Sequence, residues 1–312
     1  MGLVKTTEIL KEANDRSYAV GAFDVVNLEF LEGVLAGAES RRAPVILSLA
    51  QNHLDYVDME TFAGTLLRAA DRASVPVSVH LDHGKDLDTV IKAIRYGFTS
   101  VMIDGSTLSY EDNLYLTRQV VRIAHAAGVS VEAELGFVAG REFYSHGKDA
   151  TGSNVETTAT VYTDPDLAAD FVEKTKVDFL AVSVGTVHGL FTGQLQLDIP
   201  RLKEIRKKVS VPLVLHGGSG LTDEEFSLLI AGGISKVNFY SELSHAAVEA
   251  IKKALATDPG VTEITGVLSG MKDAVRRIVE EKIHIWGCYG ISGAYASADE
   301  SGGTDRRLLG LV

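Results

Sequence analysis

The chain has 312 residues, of which 46% are hydrophobic, and a formal net charge of −12. This length and apolar content support one large hydrophobic core, and the acidic balance excludes a broad nucleic-acid-binding surface, which needs clustered Lys and Arg. Cys288 is the only cysteine, so no internal disulfide can form. Because there is also no apolar run of about 20 residues, we expect a soluble cytoplasmic protein.

Eight short apolar runs alternate with amphipathic helical patterns along the chain. Parallel strands that are covered by helices on both faces have such continuous apolar sequences. We therefore predict the α/β class and a (β/α)8 TIM barrel, with a doubly wound open sheet as the alternative. The predicted strands are Tyr18–Asp24, Ala43–Ala50, Val77–His83, Ser100–Gly105, Ser130–Gly136, Phe179–Thr186, Leu213–Gly217 and Lys236–Tyr240.

The alternation is interrupted in two places. The segment Val138–Thr163 is polar and rich in Gly, Ser and Thr, and a connection of this length inside a compact domain is typical of a lid. The C-terminal residues show no regular pattern either. We predict one barrel domain with C-terminal helices over residues 1–289 and an irregular tail over residues 290–312.

A histidine lies at the end of three predicted strands: His83, His188 and His216. In a closed barrel the carboxyl ends of all strands meet at one rim, so these side chains would converge there. Three imidazoles can hold Zn2+ and leave a coordination position open for water or substrate. We predict a metal at this rim, although each histidine taken alone could equally have a hydrogen-bonded structural role. His80, two residues before Asp82, is predicted to be structural.

Carboxylates accompany the predicted metal ligands. Asp82 precedes His83 and is the natural candidate for general acid–base chemistry, the alternative being a carboxylate that orients His83. Asp104 ends strand four, and Glu132 and Glu134 lie on one face of strand five. These acids could be alternate metal ligands or could hold the histidines in place. For Glu132 we favour a structural salt bridge.

The turns after strands seven and eight indicate a phosphate site. Gly217–Gly220 is a Gly-rich turn before a helix, and Lys236–Ser241 also ends before a helix. Backbone amides at such turns bind phosphate, and barrels commonly place that site after strands seven and eight; tight turns without a ligand are the alternative. A metal beside a phosphate suits Lewis-acid chemistry on a phosphorylated carbonyl compound. A Schiff-base route would need a buried strand lysine, and Lys236, which opens predicted strand eight, is expected toward the opposite end.

Several motifs recur in the order found in the class II, zinc-dependent fructose-bisphosphate or ketose-bisphosphate aldolases, which the chain resembles over about residues 18–245. They are HLDHG (80–84), SVMIDGS (100–106), VEAELG (131–136), YTDP (162–165), VGTVHG (184–189), LHGGSG (215–220) and KVN (236–238). The resemblance implies an aldehyde-lyase that reversibly cleaves a phosphorylated ketose to dihydroxyacetone phosphate and an aldehyde through a zinc-stabilised enediolate. It also implies a catalytic Zn2+, a monovalent cation (Na+ or K+) and a homodimer or homotetramer.

The resemblance also implies roles for the matching positions. Asp82 would move the proton of the hydroxyl at the carbon that becomes the aldehyde, and Glu142, on the long loop, would help to shuttle a proton. The metal positions would be His83, His188 and His216, with Glu134 and Asp104 as secondary contacts. The substrate positions would be Gly189, Gly217, Ser219 and Ser241 at the phosphate, Asn238 at the enediolate and Asp24 near the aldehyde.

Four positions depart from the family pattern. Asp24 stands where Asn is usual, and an acid there would disfavour a second phosphate on the substrate. The physiological substrate could therefore be a ketose phosphate other than fructose 1,6-bisphosphate. The other departures are Ser241 for Thr, Ala139-Gly140 for Gly-Gly, and Phe191-Thr192 for Tyr-Lys. Two other functions stay open: a non-catalytic, metal-dependent sugar-phosphate binding protein and a metal-dependent sugar-phosphate epimerase.

Overall fold

Eight parallel strands form a closed barrel in the computed structural model, which describes residues 2–140, 160–190 and 195–295. Each strand pairs with the next one along the chain, and β1 also pairs with β8. This closure confirms the predicted TIM barrel and rules out the open sheet. The strands are β1 (Val20–Asp24), β2 (Val45–Ala50), β3 (Val77–Gly84), β4 (Ser100–Ile103), β5 (Ser130–Leu135), β6 (Phe179–Val182), β7 (Leu213–Leu215) and β8 (Ile234–Phe239).

Ten α-helices cover the barrel within the described ranges, and no helix there is long and apolar enough to cross a membrane. Nearly every strand residue is buried, because the barrel interior covers one face and the helices cover the other. The helices are α1 (Thr6–Arg16), α2 (Leu28–Arg41), α3 (Met59–Arg72), α4 (Leu87–Arg95), α5 (Tyr110–Ala126), α6 (Pro165–Thr175), α7 (Ile199–Lys208), α8 (Asp223–Ala231), α9 (Ser241–Thr257) and α10 (Ile264–Ile285).

Side-chain caps fix where most of the outer helices begin. A polar side chain just before the helix accepts a hydrogen bond from a backbone N–H of the first turn, which would otherwise lack a partner. These caps hold the loops that follow the strands, and therefore the functional rim, in defined conformations. The capping residues are Asn27, Asp58, Asp86, Ser109, Asp164, Asp198 and Thr222.

The C-terminal part of the chain closes the seam between β1 and β8. Trp286, which is 1% exposed, stacks on Phe23 of β1 with ring centroids 5.7 Å apart. Residues 290–295 fall within the segment predicted as an irregular tail, but Ile291–Tyr295 forms a 3-10 helix, and the Gly290 N–H donates to the carbonyl of Arg41. The rest of that tail lies outside the described residues, and the domain boundary at residue 289 stays a prediction.

Candidate active site and metal centre

A β-bulge in β3 turns His83 into the mouth of the barrel. Side chains alternate along a strand, so Asp82 and His83 should point to opposite faces. The register between β3 and β4 shifts between Leu81 and Gly84, and His83 adopts a left-handed φ of 45°. Non-glycine residues in this conformation are strained and cluster at functional sites. As a result, Asp82 and His83 both face the rim.

The three histidines that we predicted to bind a metal lie against one another. The ring centroids of His83 and His216 are 4.6 Å apart, those of His83 and His188 are 5.1 Å apart, and those of His188 and His216 are 5.8 Å apart. One nitrogen from each ring lies within 4.8 Å of the others, and all three residues are buried. Three converging imidazoles form a donor set that fits catalytic zinc.

Carboxylates contact two of these rings, each at one ring nitrogen. His83 Nδ1 lies 2.8 Å from Asp104 Oδ2, and Asp104 Oδ1 in turn accepts hydrogen bonds from the hydroxyl and backbone N–H of Ser106. His216 Nε2 lies 2.9 Å from Glu132 Oε1. Histidines that bind metals are usually oriented by a carboxylate in this way. The arrangement directs His83 Nε2 and His216 Nδ1 toward each other.

Those two ring nitrogens are 3.0 Å apart. Burial alone would lower the pKa of His83, but the charges of Asp82 and Asp104 raise it well above the usual value. Burial and the charge of His83 lower the pKa of His216. The acidic groups around His83 thus favour positive charge at the point where these rings converge.

Glu134 lies beside the three histidines, on the face of β5 that it shares with Glu132. Its Oε2 is 3.6 Å from His216 Nδ1, and it forms a second group of potential ligands with His83 and Asp104. Burial and the nearby charge of Asp104 raise its pKa well above the usual value. For Asp104, burial is outweighed by the hydrogen bond from His83, and its pKa is lowered. Asp104 and Glu134 thus lie close enough to the histidines to contact a metal, and their role as secondary contacts stays a prediction.

Lys236 reaches the site, although we expected it toward the opposite end of the barrel. The prediction was wrong because β8 begins two residues earlier, at Ile234, and because Lys236 faces the interior, where its long side chain extends toward the rim. Its Nζ donates to Glu132 Oε2 at 2.7 Å and to Asn238 Oδ1 at 2.6 Å. The salt bridge predicted for Glu132 is therefore present, with Lys236 as its partner.

Asp82 faces the cavity with its carboxylate hydrogen-bonded on one side. Asn238 Nδ2 donates to Asp82 Oδ1 at 2.6 Å, and Asp82 is 3% exposed. His80 is fully buried, and its Nδ1 lies 2.7 Å from Ser100 Oγ. Burial and the charge of Lys236 lower the pKa of His80. These contacts agree with the structural role that we predicted for His80.

The turn that begins at Gly217 packs closely against the loop after β6, which carries His188. Gly217 has a φ of 68°, and a Cβ there would lie 2.5 Å from the carbonyl oxygen of Val187. The Glu242 N–H donates to Ser219 Oγ at 3.3 Å, which joins this turn to the start of α9, where Ser241 is the first residue. Gly189 also has a positive φ, of 92°. Turn amides and a helix N-terminus thus lie together, as an anion site requires.

One cavity at the rim connects most of these residues. Asp24, at the end of β1, is 6% exposed, and its Oδ2 lies 4.0 Å from His53 Nδ1. The His53 ring lies 4.5 Å from that of Tyr240. We did not predict a role for His53 or Tyr240, although each follows the carboxyl end of a strand. The cavity is lined by Asp24, Asp82, His188, Gly217, Gly218, Ser219, Asn238, Phe239 and Tyr240.

The long loop is described only at its ends. The His188 N–H donates to the carbonyl of Ala139 at 2.7 Å, and a Cβ on Gly140 would lie 2.3 Å from the carbonyl oxygen of His188. The start of the loop is thereby fixed against a predicted metal ligand. Glu142, Phe191 and Thr192 lie outside the described residues, so their predicted roles stay predictions.

Comparisons with known proteins agree on one family. The family model for class II fructose-bisphosphate aldolase matches residues 4–291. A fructose-bisphosphate aldolase of Geobacillus stearothermophilus is 39% identical over 293 residues, covering 93% of this chain and 99% of the relative. One from Thermus caldophilus is 36% identical over 311 residues, covering 92% and 99%.

A solved structure gives the same result. The crystal structure of the YdjI aldolase from Escherichia coli K12 matches with a TM-score of 0.81 and 35% sequence identity, covering 93% of this chain and 99% of that chain. The shared fold and the sequence matches extend over nearly the whole chain. The chain belongs to the class II fructose-bisphosphate aldolase family, whose members are aldehyde-lyases.

Proposed function

We propose that this protein is a zinc-dependent aldolase that reversibly cleaves a phosphorylated ketose into dihydroxyacetone phosphate and an aldehyde. The observation that supports this most strongly is the convergence of His83, His188 and His216 beside Asp82. A binding protein would need no acid–base group at that point. Zn2+ bound by the three histidines would act as a Lewis acid that polarises the substrate carbonyl.

Asp82 is the general acid–base residue in this proposal. Its carboxylate lines the cavity, and the hydrogen bond from Asn238 fixes its orientation. From there it takes the proton from the hydroxyl at the carbon that becomes the aldehyde, and it returns the proton in the synthetic direction. Asn238 contacts the part of the substrate that becomes dihydroxyacetone phosphate. Glu142 is expected to assist proton transfer.

The phosphate of dihydroxyacetone phosphate binds at the glycine turns and the start of α9. Gly189 and Gly217 have the positive φ angles that let backbone amides approach an anion closely. Ser219 and Ser241 lie where the turn meets the helix N-terminus. We also expect a monovalent cation near this phosphate. A homodimer or homotetramer in the cytoplasm is expected from the resemblance alone, and light scattering of the purified protein would test the oligomeric state.

The activity is tested by supplying phosphorylated ketoses and detecting dihydroxyacetone phosphate through its coupled reduction. Release of dihydroxyacetone phosphate supports the aldolase assignment. A product that is only an isomer of the substrate, with no cleavage, would instead identify an epimerase. Tight binding of the ketose without turnover would identify a binding protein.

Asp24 is the residue that we expect to select the aldehyde. Its carboxylate lines the cavity at the carboxyl end of β1, and a phosphate brought beside it would meet a like charge in a buried setting. We therefore expect unphosphorylated aldehydes to be better partners for dihydroxyacetone phosphate than glyceraldehyde 3-phosphate, by about tenfold or more in kcat/KM. A panel of aldehydes measures this ratio, and Asp24→Asn should reduce it. Preference of the wild-type enzyme for the phosphorylated aldehyde would contradict this assignment.

A further inference from the structure

Lys236 is a buried cation that the proposed mechanism does not use. It is 0% exposed inside the barrel, and its Nζ bonds to Glu132 Oε2 and Asn238 Oδ1. An ammonium group removed from water is costly unless it is paired and hydrogen-bonded. Here both acceptors lead directly to residues of the active site, one toward the metal ligands and one toward Asp82.

The first connection runs through Glu132 to His216. One carboxylate oxygen of Glu132 accepts from Lys236, and the other lies 2.9 Å from His216 Nε2. An ionised carboxylate can only accept hydrogen bonds, so His216 must carry its proton on Nε2. Its Nδ1 is then the atom with a free lone pair for a metal. Pairing with Lys236 fixes Glu132 in this position.

The second connection runs through Asn238 to Asp82. An amide can present either its oxygen or its nitrogen, and an ammonium can only donate, so the oxygen of Asn238 must face Lys236. The amide nitrogen then points the other way and donates to Asp82 Oδ1 at 2.6 Å. Without the ammonium, the amide oxygen would lose this donor, and only the Asp82 carboxylate would hold the amide in its orientation.

We propose that Lys236 is a positioning residue for this reaction: it fixes the tautomer of His216 through Glu132 and the amide orientation of Asn238. This inference rests on the roles proposed above for His216 and Asp82. It also accounts for a strand lysine in an aldolase without a Schiff base, because the amine is bound to a carboxylate and an amide oxygen and is not available as a nucleophile.

The test is Lys236→Met, which keeps the length of the side chain and removes the ammonium. We expect zinc affinity to fall at least about tenfold, as it does when other residues that orient metal ligands are removed. We expect kcat at saturating zinc also to fall at least about tenfold while KM for the ketose phosphate changes less. Arg206→Met is the control, since Arg206 is a part-buried cation that bonds Asn14 and the carbonyl of Val211, away from the site. It should lower the melting temperature without changing zinc affinity or kcat.

If Lys236→Met does not fold, Glu132→Gln tests the same inference. It breaks the connection to His216 and should weaken zinc binding by a similar factor. The inference is overturned if the folded variant keeps zinc affinity and kcat within about twofold of wild type. It is also overturned if borohydride traps dihydroxyacetone phosphate on Lys236. If the wild-type protein itself neither binds zinc nor releases dihydroxyacetone phosphate, the proposed function fails instead.

Discussion

Asp82 and His83 are neighbours in sequence for which we propose separate roles. Regular alternation would direct one of them away from the barrel mouth, but the bulge and the left-handed φ of His83 bring both to the rim. His83 then bonds Asp104, while Asp82 bonds Asn238. The proposed acid–base group is thus held beside the proposed metal ligands by a different set of contacts, so we expect mutation to separate the two functions.

Asp82→Asn tests that separation. The amide has the same shape but cannot take up a proton, so kcat should fall by about 100-fold to 10,000-fold. Zinc content and melting temperature should stay close to the wild-type values, because Asp82 is not one of the residues proposed to bind zinc. The coupled reduction of dihydroxyacetone phosphate measures the rate, and metal analysis measures zinc. Turnover at the wild-type rate would show that another group moves the proton.

Gly217→Ala tests the close approach between the turn proposed to bind phosphate and the loop that carries His188. Alanine at a φ of 68° is strained, and its Cβ would lie 2.5 Å from the Val187 carbonyl oxygen, so the turn must move. We expect a loss of about 1–3 kcal/mol of stability and a raised KM for the ketose phosphate.

Gly64→Ala is the matched control. Gly64 lies in α3, where an added Cβ meets no atom within 4 Å. The change should stabilise the protein by about 0.5–1 kcal/mol through helix propensity and leave KM unchanged. Urea unfolding and steady-state kinetics measure both variants. Equal KM values for Gly217→Ala and wild type would count against the phosphate assignment.

At the scale of elements, Asp86 joins two of the loops that form the rim. Asp86 Oδ1 caps α4 by accepting from the Thr89 N–H at 2.8 Å, and its Oδ2 accepts from Gln51 Nε2 at 2.7 Å. Gln51 Oε1 accepts in turn from the Lys85 N–H. The 3-10 turn after β2 is thereby connected to the start of α4, just beyond His83.

Asp86→Ala should lower the free energy of unfolding by about 1–2 kcal/mol at neutral pH. Burial opposes ionisation of Asp86, but hydrogen bonds from Thr89 and Gln51 outweigh it and lower its pKa in the folded state. Its contribution is therefore fully present above the unfolded pKa of about 4 and is lost as pH falls through the folded value.

Asp58→Ala is the control for Asp86→Ala, because Asp58 caps α3 by accepting a hydrogen bond from the Thr61 N–H. It should cost less than Asp86→Ala. Urea unfolding at neutral and acidic pH measures the difference, which should shrink toward acidic pH. A difference that grows on acidification would contradict the assigned pKa direction.

At the scale of the whole molecule, the sequence predicted the barrel because burial on both faces of parallel strands leaves a strong apolar pattern. The same reasoning predicted that the strands ending in His83, His188 and His216 converge, since closure brings all carboxyl ends together. These inferences depend on the order of elements, which is visible in the chain.

The features that sequence reasoning missed depend on register and side-chain reach. The position of the Lys236 ammonium group was predicted wrongly for two reasons. The strand begins at Ile234, before Lys236, and a lysine side chain is long enough to reach past several residues along a strand. The bulge at His83 interrupts the alternation of side chains from which we predict the face of the strand on which each residue lies. His53 meets Asp24 only because β1 and β2 are adjacent. Contacts of this kind are fixed by packing in three dimensions and leave no periodic signal.

The central claim is that the three histidines hold a zinc ion on which cleavage depends. The most direct measurement is the rate of dihydroxyacetone phosphate release by protein treated with a chelator, before and after Zn2+ is added back. We predict that the rate falls to background without metal and returns when about one zinc per chain is bound. Full activity in protein that contains no zinc would contradict the account.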